Sequence, residues 1–229
     1  MSGRISHKTV IAGFVGVFLL GPISGALADT RALWHMDDTD ATMTDSSTYN
    51  NNGTLNNVAV GQPPVYSDSG TSFLFNGLDS YVEVPEADSL DPFNANITVT
   101  AWVNFSGPIL DDSYDIVRKG LGSTPGGDWK MEIKNIKNLG TVGKLKCTFR
   151  GSMEVVKTAS PDIMDGQDHE LKCIKTATSV TAQVDGHSYT KSAAAGSIAN
   201  SSNTLVGSKI PGDDVYSGYM DEVSVDIGS

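Results

Sequence analysis

Ile97-Thr98-Val99-Thr100-Ala101-Trp102-Val103-Asn104-Phe105 alternates in character at every step for nine residues. Ile97, Val99, Ala101, Val103 and Phe105 fall on one side of an extended chain, and Thr98, Thr100, Trp102 and Asn104 on the other. A period of two belongs to a strand with one buried face, because successive side chains of a strand point to opposite sides. The run is also rich in β-branched residues, which fit a pleated, half-buried surface.

The same pattern recurs on both sides of this stretch. Lys144-Leu145-Lys146-Cys147-Thr148-Phe149-Arg150 places Leu, Cys and Phe on one face and charge on the other. Glu170–Lys175 and Ser179–Val184 alternate likewise, and Asp185-Gly186 turns the second into His187–Thr190. Further strands are expected at 31–36, 54–60, 72–76, 80–84, 114–119, 128–135, 153–158, 203–207 and 217–226. Gly, Pro, Asn, Asp and Ser clusters separate them, and no segment carries a sustained helical stripe. About thirteen short strands with one apolar face each predict an all-β, antiparallel β-sandwich.

The order of motifs resembles a known family. Leu33-Trp34-His35-Met36-Asp37-Asp38 is similar to the opening strand of laminin G-like jelly rolls. Asp45–Leu55 resembles their Asn/Gly-rich loop, and Phe73–Pro85 their hairpin ending in Tyr-Val-x-Val-Pro. Thr98–Val103 looks like the central Trp strand. Val184-Asp185-Gly186 and Gly218–Val223 match two late signatures. The resemblance implies one concanavalin A-like/laminin G-like jelly roll over residues 29–229. The family's Trp-His pair is replaced by Asp168-His169, which puts one local packing site in question. His169 is read as a strand-end residue, since no catalytic partner is evident in the sequence. The resemblance also implies a structural Ca²⁺, with ligands Asp37, the Gly77 carbonyl and Asp221; Asp38 is the second choice for the first ligand. The alternative is that Asp37 is a solvated strand end and Asp221 a turn acid. Calcium would relieve the repulsion of converging carboxylates and needs six to eight oxygens.

Residues 1–28 read as a signal peptide. Arg4 and Lys8 precede the apolar run Val10–Leu20, and Ala26-Leu27-Ala28 fits a cleavage site. Eleven apolar residues are too few to span about 30 Å of hydrocarbon. A secreted, extracellular domain with no membrane anchor is expected. Export makes Cys147 and Cys173 a disulfide pair, with buried free thiols the alternative. Both share a face with core residues, which suggests a bridge between neighbouring strands. The sequons at Asn52, Asn96, Asn104 and Asn200 matter only in a eukaryotic secretory pathway.

The whole chain has a net charge of -11. A surface that acidic argues against DNA or RNA as a partner. The charge is uneven, however: residues 118–157 hold 9 bases and 3 acids. Alternation puts Lys130 and Lys134 on one strand face and Lys144, Lys146 and Arg150 on one face of the next. If those strands are neighbours, the five form one ligand-binding patch for an anionic glycan or an acidic protein; otherwise the face is simply solvated. Trp129, Tyr114, Tyr216 and Tyr219 are expected near strand ends or loops, where an aromatic ring could stack on sugar, and Trp34 and Trp102 in packed positions.

No nucleophile elbow, zinc-protease helix or phosphate loop occurs. Glycan hydrolases of the superfamily need alternating acids on one strand. Here Glu222-Val223-Ser224-Val225-Asp226 has Ser in the middle, and Glu132 is followed at the next outward position by Lys134. The leading expectation is a secreted, non-enzymatic recognition module for an extracellular glycan or protein. The alternatives are a glycan-acting hydrolase with a non-standard carboxylate pair, and a structural cell-envelope component.

Overall fold

The computed structural model describes residues 28–67, 70–136 and 142–228. The expected signal peptide lies outside the described residues apart from its last position. Sixteen strands make two antiparallel sheets. In chain order they are β1 Asp29–Trp34, β2 Thr42–Met43, β3 Gly53–Asn56, β4 Ala59–Gln62, β5 Ser72–Asn76, β6 Tyr81–Val84, β7 Asn96–Phe105 and β8 Ser113–Lys119. There follow β9 Asp128–Asn135, β10 Gly143–Arg150, β11 Glu154–Thr158, β12 Asp168–Lys175, β13 Ser179–Val184, β14 His187–Ser192, β15 Thr204–Val206 and β16 Ser217–Gly228. The first sheet runs β14-β13-β12-β7-β16-β5-β4, with β1 also on β16. The second runs β11-β10-β9-β8-β15-β6-β3-β2. No helix among the described residues is long and apolar enough to cross a membrane.

The nine-residue alternation that opened the argument is β7, at the centre of the first sheet. Its Ile97, Val99, Ala101, Val103 and Phe105 are buried against the second sheet, which supplies Met131, Ile133, Leu145 and Phe149. β16 borders β7 along its whole length and changes partner on its other edge, from β5 (Ser217–Met220) to β1 (Val223–Ile227). A bulge at Asp221-Glu222, with Glu222 at φ 47, makes that change possible.

Three local expectations need correction. The single strand expected at 54–60 is two strands, β3 and β4, in different sheets. Asn57 breaks it at φ 53, the left-handed region that Asn tolerates. The Cys147–Cys173 disulfide forms, but it ties β10 of one sheet to β12 of the other rather than two neighbouring strands. Its Cα atoms are 5.4 Å apart, where packed sheets ordinarily lie about 10 Å apart, so the sheets converge at this edge. The aromatic positions also differ. Trp129, Tyr114 and Tyr216 are fully buried, with Trp129 Nε1 donating to the Leu90 carbonyl at 3.1 Å. Trp34 is packed in the core as expected, but Trp102 faces outward, half-buried, with its ring centroid 4.9 Å from that of Tyr66.

Candidate functional site

The outer face of the second sheet carries charge in register. β9 and β10 are neighbours, as the basic-patch argument required, and place Lys144 opposite Lys134, Lys146 opposite Glu132, Thr148 opposite Lys130 and Arg150 opposite Asp128. β8 adds Asp115 opposite Glu132 and Arg118 opposite Lys130. β15 and β6 continue the second row with Leu205 and Glu83. Residues from five strands therefore line up across the sheet: Thr148, Lys130, Arg118, Leu205, Glu83.

The five basic residues share this face, but they do not make a free positive patch. Lys130 Nζ and Lys146 Nζ lie 2.7 and 2.6 Å from the two oxygens of Glu132. Arg150 pairs with Asp128 at 3.2 Å and with Glu154. Arg118 binds Asp115 and donates Nε–H to the Gly120 carbonyl at 2.9 Å. Lys134 donates to Ser113 Oγ at 3.2 Å, and Lys144 to the Ser160 carbonyl. The acids that neutralise the patch come from adjacent strands or alternate positions, so counting bases along one segment overstates the local field.

Burial separates the two central carboxylates in acidity. Asp115 has no exposed surface, and burial pushes it up to about 6 against the pull of Arg118 and Lys130. Burial pushes Glu132 up as well, but Lys130 and Lys146 outweigh it and hold the group below the usual carboxylate range. Burial also raises Asp128 and Asp214.

Two loops rise over this floor and form a cleft. One is the connection 120–127 and the other the turn around Lys209–Asp213, closed by the Asp213 N–H to Ile210 carbonyl bond at 3.0 Å. Gly127, at φ 94, lets the first loop rest on the end of β10: a Cβ there would lie 1.9 Å from the Arg150 carbonyl oxygen. The cleft has a polar compartment of about 430 Å³ over Asp128, Lys130, Glu132, Lys146 and Arg150. A more apolar compartment of about 320 Å³ lies over Tyr81, Leu205, Leu121, Ile210 and Pro211. Arg118, Leu121 and Lys209 border both, so the two are continuous. Sequence reasoning missed Tyr81, Arg118, Leu205 and the loop residues. Tyr81 falls inside the hairpin motif Phe73–Pro85, and nothing in the one-dimensional pattern places β6 one strand away from β8.

The calcium set does not assemble. Gly77 N–H donates to the Tyr216 carbonyl at 3.0 Å, which sets it level with Tyr216. Asp221 is five residues further along the strand direction, about 16 Å at 3.3 Å per residue. Ligands of one calcium ion lie 2.3–2.6 Å from it, so these two cannot share a shell. Asp221 Oδ2 instead accepts the Val65 and Tyr66 N–H groups, both at 3.0 Å, and Asp37 Oδ1 accepts the Thr71 N–H at 2.6 Å. Both acids clasp the segment that leads into β5. Asp38 binds Thr44 through its backbone N–H, at 3.0 Å, and its hydroxyl. A separate group of acids, Glu86, Asp88 and Asp91, surrounds the buried Lys119 ammonium, which lies 2.6 Å from Asp91 and 3.8 Å from Glu86.

His169 does have partners the sequence did not reveal. Nδ1 is 2.8 Å from Asp185 and Nε2 3.1 Å from Asp165. Burial disfavours the charged ring, but the two carboxylates outweigh it and raise its pKa. The His169 ring thus ties the approach to β12 to the β13–β14 turn.

Two antiparallel sheets packed face to face, with a cleft across the outer face of one, define a β-jelly roll with a surface cleft. The family model described as the concanavalin A-like lectin/glucanases superfamily, laminin G type, matches residues 75–226. The chain belongs to that superfamily. No curated protein sequence matches it. Among solved structures it is similar to domain 4 of the extracellular arabinanase AbnA from Geobacillus stearothermophilus, solved with arabinotriose. That match has 15% identity and a TM-score of 0.58, over 88% of this chain and 93% of the other. It is also similar to the binding domain of botulinum neurotoxin serotype D, at 12% identity and TM-score 0.64, over 86% of this chain and 48% of the other. For mouse laminin α1 domains LG4-5 the values are 15% and 0.52, over 70% and 42%. The chain spans less than half of the neurotoxin and laminin chains. At these identities the likeness is one of fold.

Proposed function

We propose that this chain is a secreted, non-enzymatic recognition module that binds a glycan across the cleft of its second sheet. The observation that carries the reading is the pairing of a polar, hydrogen-bonding floor with an adjoining apolar compartment that contains Tyr81. Sugars present both kinds of surface: hydroxyl edges that need fixed donors and acceptors, and C–H faces that pack on aromatic or aliphatic groups. The solved arabinanase domain with arabinotriose is consistent with this reading through its fold. A protein partner would use the same cleft less selectively.

Hydrolysis is the second reading, because Asp115 and Glu132 face each other with separated acidities, the usual mark of an acid and base pair. Access weighs against it. A glycosidic acid and its partner must both reach the scissile bond, whereas Asp115 is 0% exposed beneath Arg118 and Glu132 1% exposed beneath two lysines. The test is a glycan array followed by calorimetry on the hits. Tyr81→Ala should weaken binding about tenfold or more with little change in melting temperature, and Arg150→Ala should weaken it as much while lowering the melting temperature, because the buried Asp128 loses its cation. Unchanged affinity in both would remove the cleft as the site. Release of reducing ends that Glu132→Gln abolishes would replace binding with hydrolysis.

A further inference from the structure

We infer that the cleft selects uncharged saccharides, and that the ion-pair lattice of its floor is what makes the selection. The inference rests on the glycan reading above and narrows its ligand class.

Every cation bordering the cleft already faces a carboxylate. Lys130 and Lys146 converge on Glu132, Arg150 on Asp128 and Arg118 on Asp115, and Lys209 lies 2.7 Å from Asp213 and 3.6 Å from Asp214. Arg150 also meets Glu154, so six carboxylates balance these five cations, and a uronate or sulfate entering here would meet no net positive charge. It would have to displace a carboxylate that the strand register holds in place, and would then sit beside that carboxylate. Glu83 adds a further barrier. It lines the apolar compartment, and its Oε1 accepts from the Asn203 amide, not from a cation. The cleft is therefore electrically balanced on its polar side and weakly negative on its apolar side, in a chain that is acidic as a whole. Like-charge juxtaposition is a known means of rejecting wrong partners.

The same lattice suits a hydroxyl. An ammonium has three donors and a guanidinium five, so each paired cation keeps donors in reserve. Lys146 and Arg150 stand on β10 and Lys130 on the neighbouring β9, about 4.8 Å away. Their heads are 16–31% exposed while their carboxylates are buried beneath them, so a sugar hydroxyl can accept from a cation without displacing its partner. Hydrogen bonds to ionised partners are the stronger kind.

Calorimetry on the full mature chain tests the inference with matched probes: neutral galactan oligosaccharides, arabino-oligosaccharides, oligogalacturonides and heparin oligosaccharides. Each is measured from low salt to about 0.5 M, where exposed charge interactions are largely screened. Neutral oligosaccharides should bind with less than about a twofold change in Kd over that range, and charged ones at least about tenfold more weakly at low salt. Glu132→Gln leaves Lys130 and Lys146 without their carboxylate, and should gain oligogalacturonide binding that salt abolishes. The double variant Asp128→Asn/Glu154→Gln does the same for Arg150 if the first variant does not fold. Tight, salt-sensitive binding of uronate or heparin by the unaltered chain would overturn the selectivity while leaving the cleft as a glycan site. Binding of none of the four probe classes would remove the glycan reading, and this inference with it.

Discussion

A carboxyl group buried on the floor of a cleft couples stability to pH, and Asp115 shows how. Its folded pKa is raised to about 6 by burial, against about 3.9 in an unfolded chain. Between those values the folded state holds the proton and the unfolded state releases it. Stability attributable to this group is therefore highest below about pH 4 and declines as pH rises through about 6. Asp115→Asn has no proton to lose and keeps an oxygen to accept from Arg118. The unfolding free energy of the variant, from urea titration, should gain on that of the wild type from pH 4 to pH 7 by about 2 kcal/mol. Curves that stay parallel across the window would show that Asp115 titrates as an exposed acid. The sequence placed this residue only within the strand expected at 114–119. Its partners, Glu132 across the β8–β9 ladder and Arg118 beyond a bulge, depend on strand register, which no local pattern encodes.

At the scale of elements, β16 and the segment before β5 are held together by one side chain. Asp221 is 2% exposed and accepts two backbone N–H groups, from Val65 and Tyr66; Tyr66 in turn packs on Trp102. Burial raises its pKa, with those two N–H bonds opposing the shift. Asp221→Ala leaves both donors without their acceptor, which costs about 2–3 kcal/mol. The melting temperature should fall by several degrees, with a change in Trp102 fluorescence as Tyr66 is released. Chelator should leave the wild-type melting temperature unchanged, because loop N–H groups balance Asp37 and Asp221. A drop on chelation that added Ca²⁺ reverses would restore a metal to this end of the sandwich. The strand itself was legible from its alternation. What the acids bind was not. A carboxylate facing backbone donors and one facing a cation look the same in sequence.

The whole molecule is two sheets that approach most closely at the disulfide. The apolar faces that bring them together were readable strand by strand, because alternation survives any register. The outer face of the second sheet was not. β8 is buried along all seven residues, including Asp115 and Arg118 on its outer side and Lys119 on the side of Trp129, so a reading that assumes one wet face per strand fails there. Cys147 and Cys173 close a loop with a sequence separation of 26, worth about 3.5 kcal/mol in the chain-entropy model. The bond links β10 to β12, and its loss should not be felt evenly. β7 and β16 lie inside the first sheet, each hydrogen-bonded on both sides, and have no covalent tie to lose. β10 to β13 meet the opposite sheet at the cross-linked edge. The double variant Cys147→Ala/Cys173→Ala should lose about 3–4 kcal/mol. Amide exchange under native conditions should accelerate first in β10–β13 and last in β7 and β16, since local openings follow cooperative units. The cleft straddles that boundary, with β10 on the loosened side and β6 and β15 away from it. Ligand affinity should therefore weaken through the polar compartment while contacts at Tyr81 persist. Uniform acceleration over all sixteen strands would mean that the sheets part as one unit, and that the bridge acts only on the unfolded chain.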